Sequence, residues 1–264
     1  MQEPNDKEFQ NMTCPKVIDS HCHLESEEFR IDLPQVINRA SSAGVHMITS
    51  AITLEGLAAG LRLAEKYPCV HATIGLDPRR CQDLEVVLQH VRDSSSKIVG
   101  LGETGLDYYF AREHDLRKEQ EKSMRAMIGA AGELGLPIQI HSRSAGKAAL
   151  DILRDCEASK VQMHAFDGKA SLAREASKDL GYYFSIPTSV VRSPQKRKLV
   201  KAVDYERLLV ETDSPVLGPV AGIRNEPANL WVVVKEVSSI LGRSEDEIAS
   251  TVLENTRRLY ARIH

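Results

Sequence analysis

Residues 97–141 read KIVGLGETGLDYYFAREHDLRKEQEKSMRAMIGAAGELGLPIQIH. The periodicity of this stretch changes twice, and that decides the fold. KIVGLGE, 97–103, is short, apolar and rich in β-formers. From about 115 to 134 the apolar residues recur at helical spacing, with Met124, Met127, Ile128 and Ala131 on one face. Gly135 and then Pro137 stop that helix. PIQIH returns to a strand and ends on His141. Strand, helix, strand in succession implies a parallel pair joined by a crossover. The two strands end on Glu103 and His141, both metal-ligating types.

The same alternation extends in both directions. Toward the N-terminus, strands are expected at 17–20, from 45 and from 70, with helices over 33–43, 54–67 and 84–92. Toward the C-terminus, a helix over 145–156 precedes the strand VQMHAF at 161–166. A helix over 171–180, the strand YYFSI, the basic stretch RSPQKRKLVK and a strand over 207–213 follow. Helices over 227–241 and 245–263 complete the chain. Eight strand–helix units in 264 residues favour a closed barrel over an open sheet, since such barrels take about 250 residues. The fold class is therefore α/β, a single (β/α)8 TIM barrel over 16–264, with a loose polar tail over 1–15.

Composition narrows the function. A net charge of −3 excludes a protein coated in basic surface. It leaves room for a nucleic-acid substrate met by a local basic rim. Five cysteines, an odd number without a CxxC pair, argue against a disulfide framework or thiolate zinc site and for a reducing cytoplasm. No apolar run suits a membrane span or a signal-peptide core. Aromatics make up 5% of residues, too few for a wide base-stacking platform. Tyr108, Tyr109 and Phe110 are either local stackers or loop packing.

In a barrel, chemistry gathers at the C-terminal strand ends. His21 and His23 follow the first strand, Glu103 closes the fourth, His141 ends the fifth, His164 lies late on the sixth and Asp213 ends the eighth. Residues i and i+2 of an extended segment face one side, so His21 and His23 can share a metal while Cys22 points away. Asp213, one strand away around a closed ring, completes that site. Glu103 lies between this group and the pair His141 and His164, and its two oxygens can bridge two cations. HxH alone is weak; the joint placement is the signal. His46, His71, His90, His114 and His264 are assigned to structure or surface. Gly100, Gly102 and Gly105 spell GxGxxG, but no amphipathic helix opens after them and Glu103 would repel a diphosphate. These glycines are expected to let backbones crowd together at the strand end.

The motifs DSHCHLE from Asp19, GETGLD from Gly102, HSRSAG from His141, HAFDG from His164, ETDSP from Glu211 and RNEP from Arg224 together resemble the TatD family of metal-dependent deoxyribonucleases, within the amidohydrolase-like barrels. HSRSAG, HAFDG and SIPTSVVRSPQKRKLVK especially resemble its TatD-domain-containing protein 3 subgroup. The resemblance covers about 16–259. It implies hydrolysis of DNA phosphodiesters, endonucleolytic or from the 3′ end, by a water activated between two divalent metals. His21, His23 and Asp213 would hold one metal, His141 and His164 the other, with Glu103 as bridge. Many members carry a phosphate-contacting histidine in a GxHP motif; this chain has GLDPRR, with Asp77 in that place and Arg79 or Arg80 to compensate. Many also carry HSRDA, where Ser144 stands here.

Within that reading Asp213, Glu103 and Arg143 are the catalytic residues, Asp213 orienting the water or taking its proton. Arg143 either grips a phosphate oxygen or forms a supporting ion pair. Glu211 and Asp19 are expected to fix ligand tautomers. The run Arg192, Lys196, Arg197, Lys198, Lys201 reads as a solvated helix face before a strip that steers nucleic acid. The donor set suits magnesium, manganese, zinc or iron. DNA is the expected partner; no membrane and no stable protein partner are implied. Two alternatives are an ester or small-molecule hydrolase on the same barrel, such as an aminoacyl-tRNA deacylase, and a metal-retaining binding protein without catalysis.

Overall fold

Eight parallel strands run in one sheet in chain order in a computed structural model of the protein, which describes residues 15–264. They are β1 (Val17–Cys22), β2 (Val45–Ala51), β3 (Val70–Ile74), β4 (Gly100–Asp107), β5 (Ile138–Arg143), β6 (Val161–Met163), β7 (Tyr183–Pro187) and β8 (Leu208–Glu211). The helices between and after them are α1 (Leu33–Ser42), α2 (Leu54–Lys66), α3 (Leu84–Asp93), α4 (His114–Leu134), α5 (Gly146–Asp155), α6 (Ala170–Asp179), α7 (Pro194–Ala202), α8 (Leu230–Leu241) and α9 (Glu245–Leu259). Each strand from β1 to β7 pairs in parallel with the next one in the chain. The ring closes between β8 and β1. Ser20 Oγ donates to Val210 O at 2.9 Å, Asp213 N to His21 O at 2.9 Å, and His23 N to Ser214 O at 2.8 Å. The expected (β/α)8 barrel is thus the observed one; the tail expected over 1–15 lies, apart from the buried Pro15, outside the described residues.

Apolar side chains of α1 to α8 pack on the outside of the sheet, with Val36, Ile37, Met124, Met127, Leu150 and Val233 fully buried. The floor of the barrel is a second apolar cluster of Ile18, Ile48, Val99, Leu209, Leu259 and Tyr260. Above it lies a polar layer. Gln139 Nε2 donates to Ser20 O and Tyr260 Oη, Tyr260 Oη donates to Gln162 Oε1, and Gln162 Nε2 donates to Ser185 Oγ. Buried polar groups are costly unless paired, and these are paired.

Strand ends differ from the sequence expectation. β4 does not stop at Glu103 but continues to Asp107, and β5 continues past His141 to Arg143. β6 and β8 stop at Met163 and Glu211, so His164 and Asp213 sit just beyond them. The ladder of β4 with β5 steps from Leu101↔Ile138 to Glu103↔Gln139, two residues against one. Such a bulge re-aims the side chain that follows it, here Glu103. Gly105 lets β4 continue: its φ is +141°, and a Cβ there would lie 2.2 Å from His141 O. Gly75, just past the end of β3, allows a similar close approach, since a Cβ there would lie 2.3 Å from Glu103 O. The crowding reading of the glycine motif therefore holds, and no dinucleotide-type helix follows it.

Candidate metal centre

The HxH stretch sets the first half of the site. The Nε2 atoms of His21 and His23 lie 3.2 Å apart. Each ring is held from behind by a pure acceptor, His21 Nδ1 on Gln139 Oε1 at 2.9 Å and His23 Nδ1 on Ser50 O at 2.8 Å. A carbonyl oxygen can only accept, so each Nδ1 carries a hydrogen, which leaves each Nε2 as the atom that turns its lone pair to a cation once its own proton is displaced. Cys22 turns away, as expected, its thiol on Ile48 O.

Two carboxylates meet these nitrogens. Glu103 Oε2 lies 3.4 Å from both Nε2 atoms, and Asp213 Oδ1 lies 3.6 Å from His21 and 3.4 Å from His23. A tetrahedral ion with bonds of about 2.1 Å needs ligand atoms about 3.4 Å apart. The donor set fits that spacing. The other oxygen of Glu103 turns to a different group: Oε1 lies 2.8 Å from His141 Nδ1. Glu103, His141 and His164 place one ligand atom each within 4.8 Å of one another, as do His21, His164 and Asp213. His164 stacks on His21 with ring centroids 3.7 Å apart and stands between the two groups. All six expected ligands therefore converge, and mixed imidazole and carboxylate donors suit divalent cations.

Behind these six side chains lie residues that hold them. Glu211 receives His164 Nδ1 at 2.9 Å and the Ala165 amide at 2.9 Å, as the sequence suggests. Asp19 does not meet its expectation. Its carboxylate accepts from Thr212 N at 2.8 Å and Thr212 Oγ1, tying β1 to the end of β8, and touches no ligand ring. Burial pushes its pKa up to about 8, against the hydrogen bonds from Thr212.

Three residues join the site without a clear signal in the sequence. Asp107 Oδ2 lies 3.4 Å from His141 Nε2 while Oδ1 accepts from Phe110 N. Gly105 looks like a breaker, which hides the strand that delivers Asp107. Gln139 has only the signature of a strand residue, though β-alternation puts it on the same face as His141. Lys196 belongs by sequence to a solvated face, yet it is half-buried, its Nζ on Ala165 O and Phe166 O at 2.8 and 2.7 Å. Burial lowers its pKa against the pull of Asp167, Glu211 and Asp213. Arg192, Lys198 and Lys201 are exposed as the solvated picture expects, Arg192 donating to Gly218 O, and the half-exposed Arg197 pairs with Glu236.

Arg143 lies at the exposed rim with its guanidinium 3.9 Å from the centre of the Tyr109 ring. Asp77 is buried and clamped by Arg79, whose Nε and Nη2 reach its oxygens at 2.9 and 2.6 Å. The acid in the GLDPRR stretch is thus neutralised by its own neighbour.

The site is strongly polarised. Burial disfavours charge on His141, but Asp107 and Glu103 outweigh it and hold its pKa up at about 10. Burial likewise opposes a charged His23, and Asp213, Glu103 and Glu25 hold its pKa well above the usual value. Burial would raise Glu103, yet His141, His21 and His23 hold it well below. A cation must displace protons from these imidazoles, so apparent metal affinity should rise with pH up to about 10, where His141 itself gives up its proton. Calorimetric titration in buffers of different ionisation enthalpy should register proton release; binding that releases none would contradict this. Gln139→Leu should leave His21 Nδ1 unpartnered and weaken metal binding by about 10- to 100-fold, read by chelator competition. An unchanged affinity would remove Gln139 from this role.

A family model described as TatD related DNase matches residues 18–261. Deoxyribonuclease TATDN3 of Homo sapiens is 35% identical over 262 residues, covering 94% of this chain and 95% of that protein. An uncharacterized metal-dependent hydrolase of Methanocaldococcus jannaschii is 32% identical, covering 94% and 98%. Among solved structures, a hydrolase TatD family protein from Entamoeba histolytica superposes with a TM-score of 0.84 at 21% identity, covering 94% and 99%, a likeness of fold. The converging imidazoles and carboxylates, the barrel that carries them and these relatives agree, and the chain belongs to the TatD family of related DNases.

Proposed function

We propose that this TatD-family hydrolase is a metal-dependent deoxyribonuclease that holds two divalent cations, magnesium, manganese or zinc. One observation carries the reading: the two oxygens of Glu103 face two different nitrogen groups, His21 with His23 on one side and His141 on the other. His21, His23, Glu103 and Asp213 would hold one ion, and Glu103, His141 and His164 the other. When bound, such a pair supplies Lewis acidity to a water and to the phosphate oxygens.

The chain's own residues do the rest. Asp213 Oδ1 faces His21 and His23, which leaves Oδ2, 3.9 Å from His164 Nε2, to take the proton of the attacking water. Glu211 and Gln139 keep the imidazoles of His164 and His21 turned to the centre. Arg143, steadied on the Tyr109 ring, presents a guanidinium to the phosphate. The Asp77–Arg79 pair removes the repulsion that favoured an ester or aminoacyl-tRNA substrate. A binding role without catalysis leaves the poised Asp213 without a purpose. Among the described residues no helix is long and apolar enough to cross a membrane, and the reducing cytoplasm belongs to the same proposal.

The test is incubation of metal-loaded protein with 3′- and 5′-labelled single- and double-stranded DNA beside His141→Ala. Metal-dependent cleavage above that control supports the reading. Its absence sinks it.

A further inference from the structure

Two large rings stand in solvent at the rim of this site, Tyr109 56% and Phe110 58% exposed. They follow closely on Asp107, which touches the candidate ligand His141. The loop that carries them is fixed. Tyr108 N donates to Arg143 O at 3.0 Å, Phe110 N to Asp107 Oδ1 at 3.0 Å, and Ala111 N to Asp107 O at 2.8 Å. Tyr108 turns inward, its hydroxyl on Glu121 at 2.6 Å. Tyr109 and Phe110 turn outward.

Each outward ring is backed by an arginine. The guanidinium of Arg143 lies 3.9 Å from the Tyr109 centroid and that of Arg79 6.0 Å from the Phe110 centroid. Contact through the π face holds a guanidinium in place without using its in-plane N–H groups. Asp77 takes Nε and Nη2 of Arg79, and Nη1 remains. Two aromatic faces and two guanidinium groups therefore stand side by side at the edge of a centre suited to phosphodiesters. An apolar protein surface would match the rings but not the arginines. A nucleotide strand matches both, since each unit offers a flat π face and an anionic phosphate.

Resting on the deoxyribonuclease reading, we propose that Tyr109 and Phe110 form a shelf for unpaired nucleobases beside the scissile phosphate. Arg143 holds an adjoining phosphate and aims the strand at Glu103 and Asp213, while Arg79, whose charge is spent on Asp77, backs the Phe110 ring.

The experiment uses the metal-loaded full chain and short labelled oligonucleotides, one with ordinary bases and one with abasic spacers in place of several bases. The parent protein should bind the base-containing strand about five- to a hundredfold more tightly, the effect of one stacked base. The double variant Tyr109→Ala/Phe110→Ala should lose that preference while keeping its metal content and melting temperature. Tyr109→Phe/Phe110→Tyr, which keeps both π faces, should retain the preference. A parent protein that binds both strands alike, or an alanine variant that still discriminates, overturns the shelf. Cleavage of ordinary DNA is measured in parallel. Its absence in the parent overturns the nuclease reading, while the binding preference still reports on the shelf.

Discussion

Glu103→Ala is expected, on the proposed two-metal deoxyribonuclease reading, to lower the bound metal from two ions per chain to one or none and to cut DNA cleavage by at least about a hundredfold, the scale of losing one electrostatic partner of a transition state. The side chain is buried, and its two oxygens serve His21 and His23 on one side and His141 on the other. Alanine removes both at once. Glu103→Gln separates charge from volume. The amide keeps one oxygen but turns N–H groups toward a ligand nitrogen, and it cannot offer two anionic donors. It should fold like the parent and still lose an ion. Elemental analysis of the purified variants reads the ions, and labelled DNA reads the activity. Two ions and undiminished cleavage in either variant would remove Glu103 from the bridging position.

Gly105→Ala should destabilise the chain by about 3 kcal/mol or more, the scale of a strained backbone position with a displaced neighbour. Two faults add. The φ of +141° is one that side-chain-bearing residues rarely adopt, and the new Cβ would lie 2.2 Å from His141 O. That oxygen belongs to β5, so relief requires β4 and β5 to part where they deliver Asp107 and His141. The urea midpoint should fall and metal affinity should fall with it. Gly129→Ala is the control: this glycine lies within α4, and a Cβ on it would meet nothing within 4 Å. It should be neutral or stabilising by up to about 1 kcal/mol. Equal midpoints for Gly105→Ala and the parent would show that β4 tolerates a side chain there.

The large features are legible because they are local. The helical face of Met124, Met127 and Ile128 and the strands on either side follow from spacing alone, and all three of these residues are buried. His21 and His23 share a face because i and i+2 do so in any strand. Boundaries are harder. Gly105 and Gly102 look like breakers in a row of residues, yet in the barrel they are what allow β4 to run on to Asp107.

What the amino-acid sequence determined by itself was the alternation of strand and helix, hence the barrel, and the placing of His21, His23, Glu103, His141, His164 and Asp213 near the strand ends that share one mouth. Side-chain periodicity and ligand type are properties of neighbours in the chain. Only the tertiary structure decided how Glu103 divides its oxygens between two groups, that Asp77 is silenced by Arg79, that Lys196 is drawn under the His164 loop, and that Asp19 ties β1 to the end of β8 rather than orienting an imidazole ring. The reason is distance along the chain. Gln139 steadies His21 from 118 residues away, and Thr212 meets Asp19 from 193 residues away. A hydrogen bond depends on a few tenths of an ångström between two such partners, which closure of the barrel sets and no local pattern contains.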